Sequence, residues 1–201
     1  MITLYGASGH AKVVMDVIKS NDGVITQILD DNESLDSLLE YPVNKPEKKH
    51  YENVLIAIGD NTVRKNIAAN LKATYCIPMI HKSVVLDTTA TIDKGTVVMA
   101  NAVVNSSVKI GSHCIINTAA IIEHDVVIGN FVHVSPGAVV TGGVKIGEGS
   151  QIGASAVILP NLKIGKNVVV GAGTVVVKDI ADQTIVIGNP ARILKKNKTN
   201  E

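Results

Sequence analysis

Residues 110–147 read IGSHCIINTAAIIEHDVVIGNFVHVSPGAVVTGGVKIG, and two repeats run through them. An Ile-Gly pair returns every 18 residues, at Ile110, Ile128 and Ile146, and once more at Ile164. An aliphatic residue returns every 6 residues, and this series continues on both sides of the stretch: Ile80, Leu86, Ile92, Val98, Val104, Ile110, Ile116, Ile122, Ile128, Val134, Val140, Ile146, Ile152, Ile158, Ile164, Val170 and Val176. A small or β-branched residue follows four positions later in nearly all cases, as at Ala90, Thr96, Ala102, Cys114, Ala120, Val126, Ala138, Ser150, Ala156 and Thr174.

The six-residue period excludes an α-helix, because six steps of roughly 100° would point the aliphatic residues in three directions. Three hexads in each longer repeat instead predict a three-sided prism of short parallel strands, with coils stacked roughly 4.8 Å apart. Aliphatic residues would fill its interior, and small residues would relieve crowding at its corners. The period does not fix the handedness of the coil, and ordinary crossover rules would favour a right-handed one.

The first 75 residues have a different pattern. Ile2–Tyr5, Ile25–Leu29 and Val54–Ile58 are predicted strands, and residues 11–20 and 63–71 are predicted helices. The segment 31–49 is polar, contains Pro42 and Pro46, and is predicted to carry at most a short helix. Alternating strands and helices predict a small, Rossmann-like parallel α/β domain over residues 1–75. The prism, with a short Lys-rich tail after Ile193 expected to be mobile, would occupy residues 76–201.

Composition narrows the function classes. The chain has 201 residues, of which 46% are hydrophobic and 18% charged, so it is a folded protein rather than a disordered one. A net charge of +1 and 2% aromatic residues argue against a nucleic-acid partner. The sequence has no signal-peptide pattern and no apolar run of membrane-spanning length, which predicts a cytoplasmic protein without membrane insertion. Cys76 and Cys114 are predicted to be reduced structural thiols, and no spacing indicates a metal site.

Two glycines follow the first predicted strand in Gly6-x-x-Gly9. Such a turn lets the backbone approach a phosphate at a helix N-terminus. Asp30 follows about twenty positions later in the sequence, the spacing at which an acidic residue can bind a ribose. The full dinucleotide fingerprint is absent, so a purely structural turn is an equal alternative.

The repeat resembles that of the hexapeptide-repeat acyltransferases, whose [Ile/Leu/Val]-Gly-x-x-[small]-x units form a left-handed parallel β-helix, and this implies the left-handed form for residues 80 to about 181. Both halves together resemble bacterial N-acetyltransferases of nucleotide-linked 4-amino sugars and the related sialic acid O-acetyltransferases. The matching stretches are YGASGH at 5–10, LDD at 29–31, IGDN at 58–61 with Arg64, IEHD at 122–125 and HVSPG at 133–137. The resemblance implies acetyl-CoA as co-substrate, a UDP-linked sugar as substrate and a role in bacterial polysaccharide or glycoprotein biosynthesis.

His124 lies between the inward-facing Ile122 and Val126, so the repeat directs it outward, where a lone histidine is by itself more often a bystander. The resemblance implies that His124 is the general base for the sugar 4-amino group, a role that suits a group titrating near pH 6.5. Asp125, where family members carry Glu, would orient the ring, and Glu123 is a second candidate for this. The resemblance assigns the oxyanion donor to the Gly142 amide. No acyl-enzyme is expected.

The remaining ligand contacts are also implied by the resemblance. The nucleotide sugar would contact Ser8, Gly9, His10, Asp30, Asp31 and Gly59, and CoA would lie near His133, Ala154 and Ala172. His124 and His133 are half a turn apart in the repeat and are predicted on different faces. A homotrimer, the usual assembly of the family, would bring His124 of one subunit to His133 of another. His113, also outward in the repeat, is predicted to be a surface residue.

Several alternatives remain open on the sequence. Within the enzyme class these are O-acetylation of sialic acid and N-acetylation of a GDP- or dTDP-linked amino sugar. Outside it are a β-helix scaffold, a dinucleotide-binding regulatory protein and a carbonic-anhydrase-like prism. The last would need metal-binding histidines that His113, His124 and His133 do not obviously supply.

Overall fold

The structure, a computed structural model, describes residues 1–47 and 50–196. An N-terminal α/β domain precedes a parallel β-helix, so the predicted fold class is confirmed. The described elements of the N-terminal domain are β1 Ile2–Tyr5, α1 Gly9–Ser20, β2 Ile25–Leu29, β3 Ser37–Leu38, β4 Tyr41–Asn44, β5 Tyr51–Ile56, α2 Asn61–Asn70 and β6 Ala73–Tyr75. The predicted boundary after residue 75 follows β6 and stays a prediction.

The N-terminal sheet has the strand order β3-β4-β2-β1-β5-β6. β1 pairs in parallel with β2 on one side and β5 on the other. The carboxyl ends of these three strands therefore meet at one edge, where the strand order reverses. That edge is where open α/β sheets bind ligands.

The prism is built from two-residue strands, closed by two longer ones: β7 Met79–Ile80, β8 Val85–Leu86, β9 Thr91–Ile92, β10 Val97–Val98, β11 Val103–Val104, β12 Lys109–Ile110, β13 Ile115–Ile116, β14 Ile121–Ile122, β15 Val127–Ile128, β16 His133–Val134, β17 Val139–Val140, β18 Lys145–Ile146, β19 Gln151–Ile152, β20 Val157–Ile158, β21 Lys163–Ile164, β22 Val169–Val170, β23 Val175–Val176, β24 Thr184–Ile187 and β25 Arg192–Lys196. Their three sheets define three faces. The first face holds β7, β10, β13, β16, β19, β22, β24 and β25. The second holds β8, β11, β14, β17, β20 and β23, and the third holds β9, β12, β15, β18 and β21.

The aliphatic series fills the prism as predicted. Its members from Val98 to Val176 are buried, together with small corner residues such as Ala102, Ala120, Ala138 and Ala156. Burial of each Val or Ile side chain stabilises the folded state by roughly 1.5–3 kcal/mol relative to leaving it exposed. Because successive coils pair in parallel register, a residue lies directly beside the residue 18 positions later, as His133 does beside Gln151.

The structure corrects three predictions of local structure. The segment after residue 31 was predicted to carry at most a short helix, but it forms the strands β3 and β4, with β4 parallel to β2. Both helices begin earlier than predicted, and α2 begins beside Asp60, whose Oδ1 accepts from the Val63 N–H. The tail predicted after Ile193 pairs with β24 as far as Lys196, and residues 197–201 lie outside the described part of the chain.

The N-terminal domain packs against the part of the first face formed by the first coils of the prism. The buried face of α1 forms one apolar cluster with Met79, Val97, Met99 and Ile115, which point outward from the prism. His113 lies in the same seam between the domains and is buried, so its prediction as a surface residue is wrong. Its ring stacks on Phe131 at 5.1 Å and meets the edge of Tyr75 at 4.4 Å. This packing places the carboxyl edge of the N-terminal sheet beside His133.

Candidate active site

His124 lies at the corner between the second and third faces, two residues after the end of β14. Its neighbours Ile122 and Val126 are fully buried, so the imidazole projects outward, and 61% of its side chain is exposed. The repeat thus presents this ring at the surface of the prism without using it in the core.

Asp125 orients the His124 ring. It adopts a left-handed backbone conformation, with φ of 60°, as do the equivalent corner residues Ala119 and Phe131 on either side. Its Oδ2 atom lies 2.9 Å from His124 Nδ1. A carboxylate only accepts, so Nδ1 carries a hydrogen, and in the neutral imidazole Nε2 then holds the lone pair. This hydrogen bond, supported by the negative charges of Asp125 and Glu123, raises the pKa of His124 above its ordinary value.

Gly142 lies one coil above His124 at the same corner. A Cβ atom on Gly142 would be 2.6 Å from His124 Nε2 and 2.7 Å from Cε1, so only glycine leaves room for the ring. Within residues 1–47 and 50–196, no group accepts from the Gly142 N–H. A free backbone donor and the Nε2 atom of His124 therefore lie side by side.

His133, on β16, faces the N-terminal domain. Its Nε2 lies 3.0 Å from Asn117 Nδ2, and its Nδ1 lies 3.3 Å from the Gly59 carbonyl. The His10 ring lies 6.2 Å away between centroids. Burial, then the charge of Arg64 and that of His10, lowers the pKa of His133 from 6.5 to about 4.

The N-terminus of α1 borders the crevice between His133 and the N-terminal domain, because His10 in its first turn lies beside His133. Ser8 stands at the N-cap position and makes no side-chain capping bond, and Gly9 begins the helix. The first N–H groups of a helix have no partner within it and attract anions. His10, in this first turn, has an Nε2 atom that is buried and without a partner among the described residues. Burial and the charge of Arg64 lower the pKa of His10 to about 4.

Asp30 and Asp31 follow β2 at the same edge of the sheet. Asp30 accepts from the Ala7 N–H at 2.7 Å and the Asn32 N–H at 2.8 Å, so it shapes the loop after β1. Asp31 accepts from the Tyr5 hydroxyl at 2.8 Å. Beside this pair is a cavity of about 450 Å³, lined by Tyr5, Asp31, Pro46, Val63, Asn66, Ile67, Asn70 and Leu71.

Ala154 and Ala172 lie at the corner between the first and second faces. They are stacked on consecutive coils, where the Ala154 carbonyl accepts from the Gly173 N–H. Gly153, next to Ala154 on the lower of the two coils, has no space for a Cβ atom, which would lie 2.6 Å from the Ala172 nitrogen. Neither alanine is fully buried, so this corner presents small side chains and backbone to its surroundings.

The predicted residues therefore gather in separate places. His124, Asp125 and Gly142 share one corner. His10 and Gly59 lie beside His133, and Asp30 and Asp31 follow β2 at the carboxyl edge of the N-terminal sheet. The prediction that His124 and His133 lie on different faces is confirmed. Sequence reasoning did not single out Asn117, because an Asn at a prism corner has the pattern of an ordinary turn residue.

Comparison with known proteins gives the same architecture. Residues 1–71 match the family model of the PglD N-terminal domain, and residues 143–178 match that of the bacterial transferase hexapeptide with six repeats. The solved structure of PerB from Caulobacter crescentus, in complex with CoA and GDP-perosamine, is 31% identical, with 96% of this chain and 97% of that chain covered and a TM-score of 0.90. The chain belongs to the family of hexapeptide-repeat amino-sugar acetyltransferases.

Two further relatives of this acetyltransferase family are similar. The acetyltransferase domain of PglB from Neisseria gonorrhoeae FA1090, in complex with acetyl coenzyme A, is 33% identical over 96% of this chain and 98% of that chain, with a TM-score of 0.87. The UDP-N-acetylbacillosamine N-acetyltransferase of Bacillus subtilis (strain 168) is 36% identical over 111 residues. That alignment spans about half of each protein, 49% of this chain and 51% of the relative. The resemblance inferred from the sequence is thereby confirmed.

No helix in residues 1–47 and 50–196 is both long and apolar enough to cross a membrane. The same residues contain no group of three or more His, Cys, Asp or Glu side chains arranged to hold a metal ion.

Proposed function

We propose that this acetyltransferase transfers the acetyl group of acetyl-CoA to the 4-amino group of a nucleotide-linked amino sugar, with His124 as general base. The observation that carries the proposal is the corner at which His124 Nε2 packs against Gly142 while Nδ1 bonds to Asp125. A base needs a free nitrogen, a fixed tautomer and a nearby donor for the oxyanion, and all three are present there.

The reaction follows from these groups. His124 Nε2 takes a proton from the sugar amine as the amine nitrogen attacks the thioester carbonyl carbon. The oxygen becomes an oxyanion, to which the Gly142 N–H donates; such a donor lowers the barrier by about 3–4 kcal/mol. The C–S bond then breaks, and the leaving CoA sulfur receives the proton from the His124 imidazolium. Asp125 stabilises that imidazolium while it exists.

The nucleotide sugar would bind along the crevice of the N-terminal domain. The free N–H groups of the first turn of α1, at Gly9 and His10, suit a diphosphate. Asp30 and Asp31 retain lone pairs for ribose hydroxyls, and the cavity beside Asp31 lies within the ordinary volume range of ligand pockets. The sugar would then extend past Gly59 towards His133. CoA would run along the corner of Ala154 and Ala172, where small residues allow close approach.

In a homotrimer, His124 of one copy would lie close to His133 of another. The two rings lie on different faces, so a second copy is needed to bring a base to the crevice. The outward residues of the second face support this assembly, because all of them are aliphatic: Val85, Val103, Ile121, Val139, Val157 and Val175. The third face instead exposes Lys109, Lys145 and Lys163. This contrast fits a second face covered by another copy and a third face left in water.

The test is release of CoA thiol from acetyl-CoA with a panel of UDP-, GDP- and dTDP-linked 4-amino sugars. One sugar nucleotide should support turnover, and His124→Asn should reduce it about 10²–10⁴-fold. The GDP arm matters because the solved relative PerB holds GDP-perosamine. A sialic acid acceptor belongs in the panel as the O-acetylation alternative.

His81→Asn is a matched control, since His81 is another imidazole beside a carboxylate, 3.5 Å from Asp16, outside the proposed site. It should leave turnover within about twofold of the wild type. Wild-type protein that acetylates no member of the panel, or undiminished turnover by His124→Asn, would refute the proposal.

A further inference from the structure

Arg64 joins the two domains from within. It lies on α2 and is 1% exposed. All five of its N–H groups are used: Nε donates to the His113 carbonyl at 2.8 Å, Nη1 to those of Ile58 and Gly59 at 2.9 and 3.2 Å, and Nη2 to Asn61 Oδ1 and the Phe131 carbonyl at 2.7 and 3.0 Å. Two acceptors belong to the prism and three to the loop and first turn around α2. The guanidinium thus fixes the loop after β5 relative to two consecutive coils.

The bonding partners of Arg64 are neutral, and no carboxylate is among them. Burial lowers the pKa of Arg64 to about 10, which reflects the cost of keeping a cation away from water. Apolar side chains of similar volume often stabilise a domain interface as well as buried charges do, or better. A charge held at this cost therefore suggests a role in arranging polar groups.

One of those polar groups is the Gly59 carbonyl, which Arg64 shares with His133. Its oxygen accepts from Arg64 Nη1 and lies 3.3 Å from His133 Nδ1. A carbonyl only accepts, so His133 Nδ1 must carry a hydrogen. On the other side of the ring, Asn117 Oδ1 accepts from the Thr118 N–H, which leaves Asn117 Nδ2 to donate to His133 Nε2. His133 is therefore neutral and protonated on Nδ1.

We propose that Arg64 is a positioning residue for acetyl transfer. By holding the Gly59 carbonyl against His133, it helps Asn117 to fix the Nδ1-protonated tautomer of His133, and it sets the distance between the nucleotide-binding loops and the prism. The inference rests on the proposed function for its kinetic consequence but not for its structural one. The charged and titratable groups that face His133 are His10 from α1 and Arg64 from α2. Removal of the Arg64 cation should therefore change the tautomer and the pKa of His133.

The test combines ¹⁵N-histidine NMR with kinetics of Arg64→Met. In the wild type, His133 should give the signals of the neutral Nδ1–H tautomer, identified by their loss in His133→Gln. In Arg64→Met, only the Asn117 amide still favours the Nδ1–H tautomer, so these signals should move part of the way towards those of the Nε2–H tautomer and titrate closer to the ordinary pH of about 6.5. The kcat/KM for the nucleotide sugar should fall about tenfold to a hundredfold, because a displacement near 1 Å is enough for such a loss.

Lys65→Met is the matched control. Lys65 is the next cation on α2 and also crosses the seam, to Glu148, but both side chains are at the surface. Its removal should leave the His133 signals unchanged and kcat/KM within about twofold of the wild type. If Arg64→Met does not fold, Arg64→Lys replaces it, since a single ammonium with three N–H groups cannot reach five acceptors.

A folded Arg64 variant with wild-type His133 signals would overturn the inference. A folded variant whose signals move towards those of the Nε2–H tautomer supports it. Should the wild type acetylate no nucleotide sugar, the proposed function fails, but the His133 spectra still decide whether Arg64 positions the ring.

Discussion

Replacing Gly142 by alanine tests the catalytic role proposed for the corner that holds His124 and Gly142. The backbone of Gly142 is not in the left-handed region, so an alanine there introduces no conformational strain. The new methyl group would instead meet the His124 ring, at 2.6 Å from Nε2. Since 61% of the His124 side chain is exposed, the ring has space to swing away.

The size of the effect follows from that distance. Ordinary contact begins at 3.4 Å, so Nε2 must retreat by about 0.8 Å from its present position. A misplacement near 1 Å costs about a hundredfold in rate, equivalent to roughly 2.7 kcal/mol of activation free energy. The free energy of unfolding should change by less than about 0.5–1 kcal/mol, because the affected side chain is at the surface.

The assay is a double-mutant cycle of Gly142→Ala and His124→Asn, read by CoA thiol release and by chemical denaturation. Gly142→Ala keeps its N–H group, so its loss of activity should act through His124, and the double variant should be no slower than His124→Asn alone. Full activity in Gly142→Ala, or a fully additive loss in the double variant, would refute the geometry inferred for this corner.

Three further outcomes are expected. Protonated His124 cannot act as a base, so activity should fall as the pH drops through its pKa. Because Asp125 raises that pKa, Asp125→Asn should move the acidic limb of the kcat/KM profile to lower pH. An acidic limb that does not move would exclude the pairing of Asp125 with His124. His124→Asn and His133→Asn subunits, each expected to be inactive alone, can be mixed at random in equal amounts. If every site takes one histidine from each of two copies, about one quarter of the sites should receive both intact histidines and regain activity. No restored activity would exclude a shared site. Burial raises the pKa of Cys76 to about 11 and of Cys114 to about 12, so neither should react with a thiol reagent until the protein is denatured, and rapid reaction of the native protein would contradict their burial.

The parts of the fold that sequence predicted well are those set by local spacing. The hexads determine which side chains enter the prism, because each corner turns the chain after the same number of residues. The strands β3 and β4 were missed because Pro42 and the surrounding polar residues have the composition of a loop, while β4 is held by pairing with β2, a contact distant in sequence. Pairing of this kind leaves little trace in a short polar segment.

The site divides in the same way. Gly142 follows His124 by 18 residues, so the repeat alone places the two at one corner, and the structure has them in contact. His113 is outward in the repeat, but outward positions become buried wherever the N-terminal domain covers the first face. The bonds of Arg64 to the coils and of His133 to Gly59 likewise depend on domain packing. Periodicity fixes which way a side chain points and does not fix what it meets.

The two histidines of the proposed reaction have environments that push their pKa values in opposite directions. Asp125 raises the pKa of the exposed His124, whereas burial beside Arg64 lowers that of His133 to about 4. Opposed shifts in a pair of titratable groups indicate which of them exchanges protons. At neutral pH His133 stays uncharged and both of its ring nitrogens are bonded, to Gly59 and Asn117, so it is suited to a fixed place in the wall of the site and not to shuttling protons. His124, with a free Nε2 and a carboxylate behind it, is the imidazole suited to accept the proton of the attacking amine.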